Sequence, residues 1–244
     1  MKQWERFYGV NFDGRTKMNW LEIVVLVVLG VYALNGYRKG FIRTVFALFS
    51  IIVSLMLTSW VSPVICKELQ KNEKVMGFVT EKIEKVISFT DAGSKTTDQV
   101  NFINKLSVPT IMKHTLIKNN TKDVYTAMAV DNFKDYISNS IARIIINAFV
   151  YLIIVLFITI GLALLCETLD IISKLPFING LNKTAGLLAG LLQGIVAVWI
   201  GCLFLTVLSG TEFGKTIFDL IEKSPFLSII YNNNLLFKIV MNLG

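Results

Sequence analysis

The side chains with the most obvious reactivity are few and scattered. His114 is the single histidine, with no HExxH pattern and no cysteine at metal-ligand spacing around it. Cys66, Cys166 and Cys202 form no CxxC pair, and each lies in or beside an apolar run. A thiol in such a place behaves as a small hydrophobe. Gly-rich phosphate loops, GxSxG and any Cys–His pair at useful spacing are absent from the sequence. The residue types thus point to no enzyme, no cofactor and no metal site.

Polar groups set inside apolar runs are the second kind of candidate. Glu22 lies one turn inside the first such run. It reads either as a carboxylate reaching back to the headgroups or as an intramembrane acid facing other helices. Glu22, Asn35, Arg38 and Asp170 could together line the path of a transporter or channel. Such a path needs polar groups at mid-membrane depth. The later apolar runs offer few beyond Thr159 and Gln193, which favours a non-conducting bundle. An intramembrane protease would need paired acids or a Ser–His pair inside the runs, and neither is present.

The strongest pattern is structural. After Lys183 no charged residue appears until Glu212, a run longer than the ~20 residues that cross a hydrocarbon core as a helix. Within it Gly186, Gly190 and Gly194 recur four apart, and Ala185, Ala189, Ala197 and Gly201 widen the same side. Residues four apart share one helix face. In lipid a stripe of small residues lets another helix come close. The spacing therefore predicts a helix–helix contact.

These residues must be carried by a membrane scaffold. Of 244 residues 54% are hydrophobic and 17% charged, against about 25% charged in soluble domains. Mean hydropathy is +0.61. The net charge of +7 is spread along loops without interleaved exposed aromatics, so the expected partner is an anionic bilayer surface and not nucleic acid. Apolar runs predict spans near 19–37, 41–62, 140–166 and 182–209. The order is an N-terminal tail (1–18), a transmembrane hairpin (19–62), an amphipathic helical insert (63–139), spans three and four (140–209) and an amphipathic tail (210–244). A cleaved signal peptide is disfavoured, because Arg38, Lys39 and Arg43 follow the first run with no small-residue cleavage site between.

Within this frame the local signals are specific. The Gly36–Gly40 turn is too short for anything but antiparallel neighbours, which predicts that spans one and two form a helical hairpin. Pro63 is expected to end span two or to follow it. Met76, Val79, Ile83 and Val86 make one apolar face, with Glu81 and Lys85 an i,i+4 pair on the other side. The insert reads as three or four short helices that lie on the membrane or cap the bundle. Pro176 breaks the chain before span four. Ser224–Pro225 reads as a helix N-cap followed by proline at the first helical position. The short loops carry Arg38, Lys39, Arg43, Lys174 and Lys183, which by the positive-inside rule puts both termini and the 64–139 region outside the cytoplasm.

Two stretches together resemble the colicin V production protein (CvpA) family. One is Asn19 to Ser50, with Glu22, Gly36, Arg38, Gly40–Phe41 and Arg43. The other is Leu169–Asp170, Lys174–Leu175–Pro176, Leu181–Asn182–Lys183, Gly186, Gly190 and Gly194; Ser224–Pro225–Phe226 also fits. Glu22 stands where the family usually has Asp, Lys39 where Gly is frequent, and the insert is longer than in short members. The resemblance implies an all-α integral protein of the bacterial inner membrane with four transmembrane helices. It implies a part in toxin production or export or in envelope integrity, without established catalytic residues. A small-solute transporter or channel subunit is the alternative. The partner expected beyond lipid is another membrane protein or a second copy, through the span-four glycine face.

Overall fold

Four apolar runs of spanning length become four long helices in the computed structural model, which describes residues 18–89, 95–168 and 181–241. In chain order the helices are α1 (Trp20–Lys39), α2 (Phe41–Lys71), α3 (Glu73–Val86), α4 (Thr96–Lys105), α5 (Thr110–Lys118), α6 (Lys122–Met128), α7 (Phe133–Thr168) and α8 (Leu181–Val207). A 3₁₀ turn (Leu208–Gly210) leads to α9 (Glu212–Lys223), α10 (Pro225–Asn232) and α11 (Leu235–Met241). Among the described residues there is no strand. The protein is an all-α membrane protein whose spans are α1, α2, α7 and α8.

Outward faces of these spans are apolar. Val27, Leu34, Phe49, Met56, Trp60, Phe157, Leu192 and Phe204 are all exposed. A belt of that extent is costly in water and suited to acyl chains. Beneath it, α1 packs along α8, α2 packs along α7, and α2 and α7 each also touch α8. Helices α1 and α2 share few contacts despite their one-residue link. The expected hairpin is therefore a connection, not the packing unit. Each of its arms finds its main partner on the other side of the insert.

Two long helices overrun their predicted ends. Pro63 lies inside α2, which continues to Lys71. Proline removes one backbone donor, yet spanning helices tolerate it where hydroxyl side chains bond the nearby backbone. Just before Pro63 the Thr58 and Ser62 hydroxyls donate to the carbonyls of Ser54 and Thr58, while the carbonyl that Pro63 leaves without its intrahelical donor is that of Ser59. At 31 and 36 residues, α2 and α7 are about 46 and 54 Å long at 1.5 Å per residue. Both exceed a hydrocarbon core of about 30 Å, so they project from one surface. The projecting start of α7 is where the insert docks.

The insert caps the bundle. Ile83, Phe102, Ile103, Met112 and Leu116 are buried against Phe133, Tyr136, Ile137 and Ile141 of α7, in one core with Ile217, Phe218 and Ile221 of the tail. Phe102 meets Phe133 edge-on at 5.6 Å, and Tyr125 stacks on Tyr136 at 5.0 Å. The Tyr136 hydroxyl donates to the Leu116 carbonyl at 2.7 Å. Lys113, its side chain only 9% exposed, pairs with Glu222 of α9 at 2.8 Å. The insert's apolar content is too thin for a core of its own, and it borrows α7 and the tail to complete one.

The tail is equally fixed. Asn234 is fully buried: its Nδ2 donates to the Trp199 carbonyl at 3.0 Å, and its Oδ1 caps α11 by accepting from Phe237 N at 3.1 Å. The Tyr231 hydroxyl bonds the Thr206 hydroxyl at 2.7 Å, and burial pushes this phenol well above its usual pKa. The start of α1, the insert and the tail thus share one end of the bundle. The α1–α2 turn and the start of α8 form the other.

Two measurements follow. Cysteines at Val28 or Ile195 should react far more slowly with a membrane-impermeant maleimide than one at exposed Lys95; equal labelling would contradict the four spans. A phosphatase fused at the C-terminus should be active, and a fluorescent protein there dark, if the basic α1–α2 turn faces the cytoplasm.

Candidate functional site

The seam between α1 and α8 begins with two glycines that leave no room for a side chain. A Cβ on Gly36 would lie 2.1 Å from the Gly186 carbonyl oxygen, and one on Gly186 would lie 2.3 Å from the Gly36 carbonyl oxygen. One turn along, a Cβ on Gly190 would meet the Tyr32 carbonyl oxygen at 2.3 Å. Real Cβ atoms do not approach backbone so closely, so backbone lies directly on backbone here. At Gly194 the neighbours are the Tyr32 and Leu29 side chains at 3.1 and 3.2 Å, and the seam opens. Ala33 and Ala189 are buried in the same contact zone. Gly201, which the spacing put on this side, is exposed with open space around its Cβ position.

The turn after α1 closes the far end of the seam. Gly40 has φ +80° and ψ 165°, a conformation open essentially to glycine alone. Its Cβ position is also occupied: Asn182 Nδ2 lies 2.5 Å from it. The Asn182 Oδ1 accepts from Ile42 N at 3.3 Å, capping the otherwise uncapped start of α2 from the first turn of α8. One asparagine thus ties together α1, α2 and α8. Arg38 is exposed beside this turn, and Arg43 is half-buried in the first turn of α2.

At the opposite end Glu22 has a defined task. Asn19 and Glu22 form a reciprocal capping box: Glu22 N donates to Asn19 Oδ1 at 2.9 Å and Asn19 N to Glu22 Oε2 at 3.1 Å. The other carboxylate oxygen accepts from the Ser224 hydroxyl, which itself accepts from Leu227 N at 3.1 Å as the cap of α10. Asn19 Nδ2 adds a bond to the Leu220 carbonyl at 3.0 Å. The half-buried carboxylate therefore sits at the N-termini of two helices, where negative charge is favoured. It is a clasp between span one and the tail at the membrane boundary, not an acid at mid-depth. Asp170 and Pro176 lie outside the described residues.

Sequence reading missed a polar face on α2. Ser54, Thr58 and Ser62 are fully buried, four residues apart, with Cys66 continuing the row. Ser54 Oγ shares a hydrogen bond of 2.8 Å with Thr159 Oγ1 of α7, and Ser59 Oγ one of 3.3 Å with the Tyr151 hydroxyl. A second network crosses the boundary where α2 leaves the membrane. Gln70 Nε2 donates to Asn147 Oδ1 at 2.6 Å, Arg143 Nη1 to Gln70 Oε1 at 3.3 Å, and Asn147 Nδ2 to the Val240 carbonyl at 3.1 Å. The four-residue spacing of Ser54, Thr58 and Ser62 was the available signal. Small hydroxyl residues score as neutral in hydropathy, so the apolar run concealed them.

Comparison with known proteins bears on the same stretch. Residues 21–91 match the family model of the colicin V production protein. The match and the sequence resemblance name the same family. It covers less than a third of the chain, taking in α1, α2 and α3 with Glu22, Gly36, Arg38, Gly40 and Arg43. The α8 half of the seam, Asn182 to Gly194, lies beyond the matched residues. No curated protein and no solved structure matches the chain. Among the described residues no group of three or more His, Cys, Asp or Glu side chains is placed to hold a metal ion.

Substitutions separate the two ends of the seam. Gly190→Leu forces backbone apart and should cost about 2–3 kcal/mol, lowering the apparent Tm in detergent by roughly 5–10 °C. Leu192→Ala, on the exposed face, should shift it by no more than about 2 °C. Equal Tm values for the two variants would refute close packing. Ser224→Ala removes the α10 cap and one partner of Glu22, a loss of about 1–2 kcal/mol. Limited trypsin digestion at Lys223 and Lys238 should then release the tail faster than in the parent; an unchanged rate would mean that the clasp does not hold the tail.

Proposed function

We propose that this protein is a non-catalytic multi-pass protein of the bacterial inner membrane that supports toxin production or export, or the integrity of the envelope. The observation that carries this reading is how the chain uses its family-pattern residues. Gly36, Gly40, Asn182, Gly186 and Gly190 make close helix contacts, and Glu22 makes a clasp. Groups so engaged build a rigid bundle and leave little to bind or transform a substrate. The glycine face of α8 is filled by α1 of the same chain, so a protein partner or a second copy would meet the outward faces of the spans.

One observation favours the alternative of a small-solute transporter or channel subunit. The buried hydroxyls of Ser54, Thr58 and Ser62 run along α2, and Thr159 and Tyr151 meet that helix from α7. Against it, Thr58 and Ser62 donate to carbonyls of their own helix, so they offer no unspent donor to a moving solute. Glu22 and Arg38, both suggested for such a path, stand sixteen residues apart on α1, or about 24 Å along the axis.

A deletion strain decides between them. Loss of the gene should reduce secreted bacteriocin activity or raise sensitivity to anionic detergent. Leu192→Ala should restore the parent phenotype and Gly190→Leu should not. A deletion strain indistinguishable from the parent in both assays would refute the proposal, and solute flux into proteoliposomes of the pure protein would establish the alternative.

A further inference from the structure

A cationic cavity of about 290 Å³ opens where the start of α7 passes beneath α5, α6 and α11. Arg143 lines it, with Asn119 and Ser140 among the polar walls and Leu116, Met128 and Met241 among the apolar ones. Arg143 is half-buried, and its Nε is buried without a hydrogen-bond partner. Among the described residues its guanidinium donates to a neutral amide, Gln70, at 3.3 Å. Among the described residues it forms no ion pair.

A guanidinium withdrawn from water costs free energy unless an anion faces it. The other buried cation of this region, Lys113, has its carboxylate in Glu222. Among the described residues Arg143 has none. Its depth indicates where one would come from. Gln70 is the penultimate residue of α2, which has left the hydrocarbon by then. The cavity therefore lies at headgroup level, where phosphates are the abundant anions. Its size exceeds what a bare ion would fill, and its apolar walls suit the glycerol and upper acyl segments of an amphiphile.

We propose that the Arg143 cavity binds the phosphodiester of an anionic phospholipid, with the guanidinium donating from its Nη groups to the phosphate oxygens, in the multi-donor planar geometry that arginine offers and lysine lacks. This goes beyond the scaffold role and does not depend on it.

The test uses the full-length protein, delipidated in a non-ionic detergent, with binding followed by native mass spectrometry and thermal shift. Dihexanoyl phosphatidylglycerol should bind saturably with one molecule per chain and raise the apparent Tm. Arg143→Met should weaken that binding at least about tenfold, and Arg143→Lys should recover only part of it. Ala127→Trp fills the cavity from an exposed position without touching Arg143 and should abolish binding. It decides the matter if the arginine variants do not fold. Inorganic phosphate binding as tightly as the lipid would overturn the lipid assignment in favour of a free anion. Equal binding of dihexanoylglycerol, which has no phosphate, would overturn the role of charge. Undiminished binding by Arg143→Met or Ala127→Trp would overturn the site.

Discussion

Contact of two backbones at Gly36 and Gly186 is the constraint from which the rest of the arrangement follows. Lipid tails are as apolar as leucine, so spanning helices gain nothing from hiding apolar side chains from lipid. Attraction must come from dispersion at short range and from the few polar groups available. Dispersion falls off within an ångström of optimal contact, so removing side chains from both helices gives the largest return. Helices α1 and α8 do this for two turns, and the Asn182 bond to the start of α2 sets where the contact ends.

The second pair is held differently. Helices α2 and α7 lack a glycine seam and use small hydroxyls instead: Ser54 meets Thr159, and Ser59 meets Tyr151. A serine is small enough for close approach and satisfies its hydroxyl on a neighbouring carbonyl or hydroxyl. Both devices allow close approach, and the hydroxyls also meet the requirement that no polar group be left unpaired in hydrocarbon. Pro63 does not stop α2, which runs on to Lys71. In water a proline there would mark a helix end. Residues 41–62 already suffice to cross a core of about 30 Å at 1.5 Å per residue, so the stretch from Pro63 to Lys71 is the part that projects toward the insert.

At the capped end the protein reverts to the rules of aqueous folding. The aromatic cluster of Phe102, Phe133, Tyr125 and Tyr136, the Lys113–Glu222 pair and the buried Asn234 make a water-facing lid over the bundle. Glu22 joins the two regimes, because its carboxylate closes α1 and holds the tail through Ser224. A membrane seam at one end of α1 and a polar clasp at the other hold that helix at both ends.

By itself the sequence determined what depends on one helix at a time. Run length and hydropathy set the four spans, four-residue spacing set the close-packing face of α8, and side-chain type set the cap at Ser224. Each is a property of a single helix. Partner choice was not legible, because a periodic face states that something packs there without naming it. Only the tertiary structure decided that α1 packs on the glycine face, that α2 turns from α1 to α7, and that Gly201 faces open space while Gly186 faces backbone. Those outcomes depend on where helices joined by long connections come to rest. That is set by the joint fit of all four spans and their lid, and no local pattern encodes it.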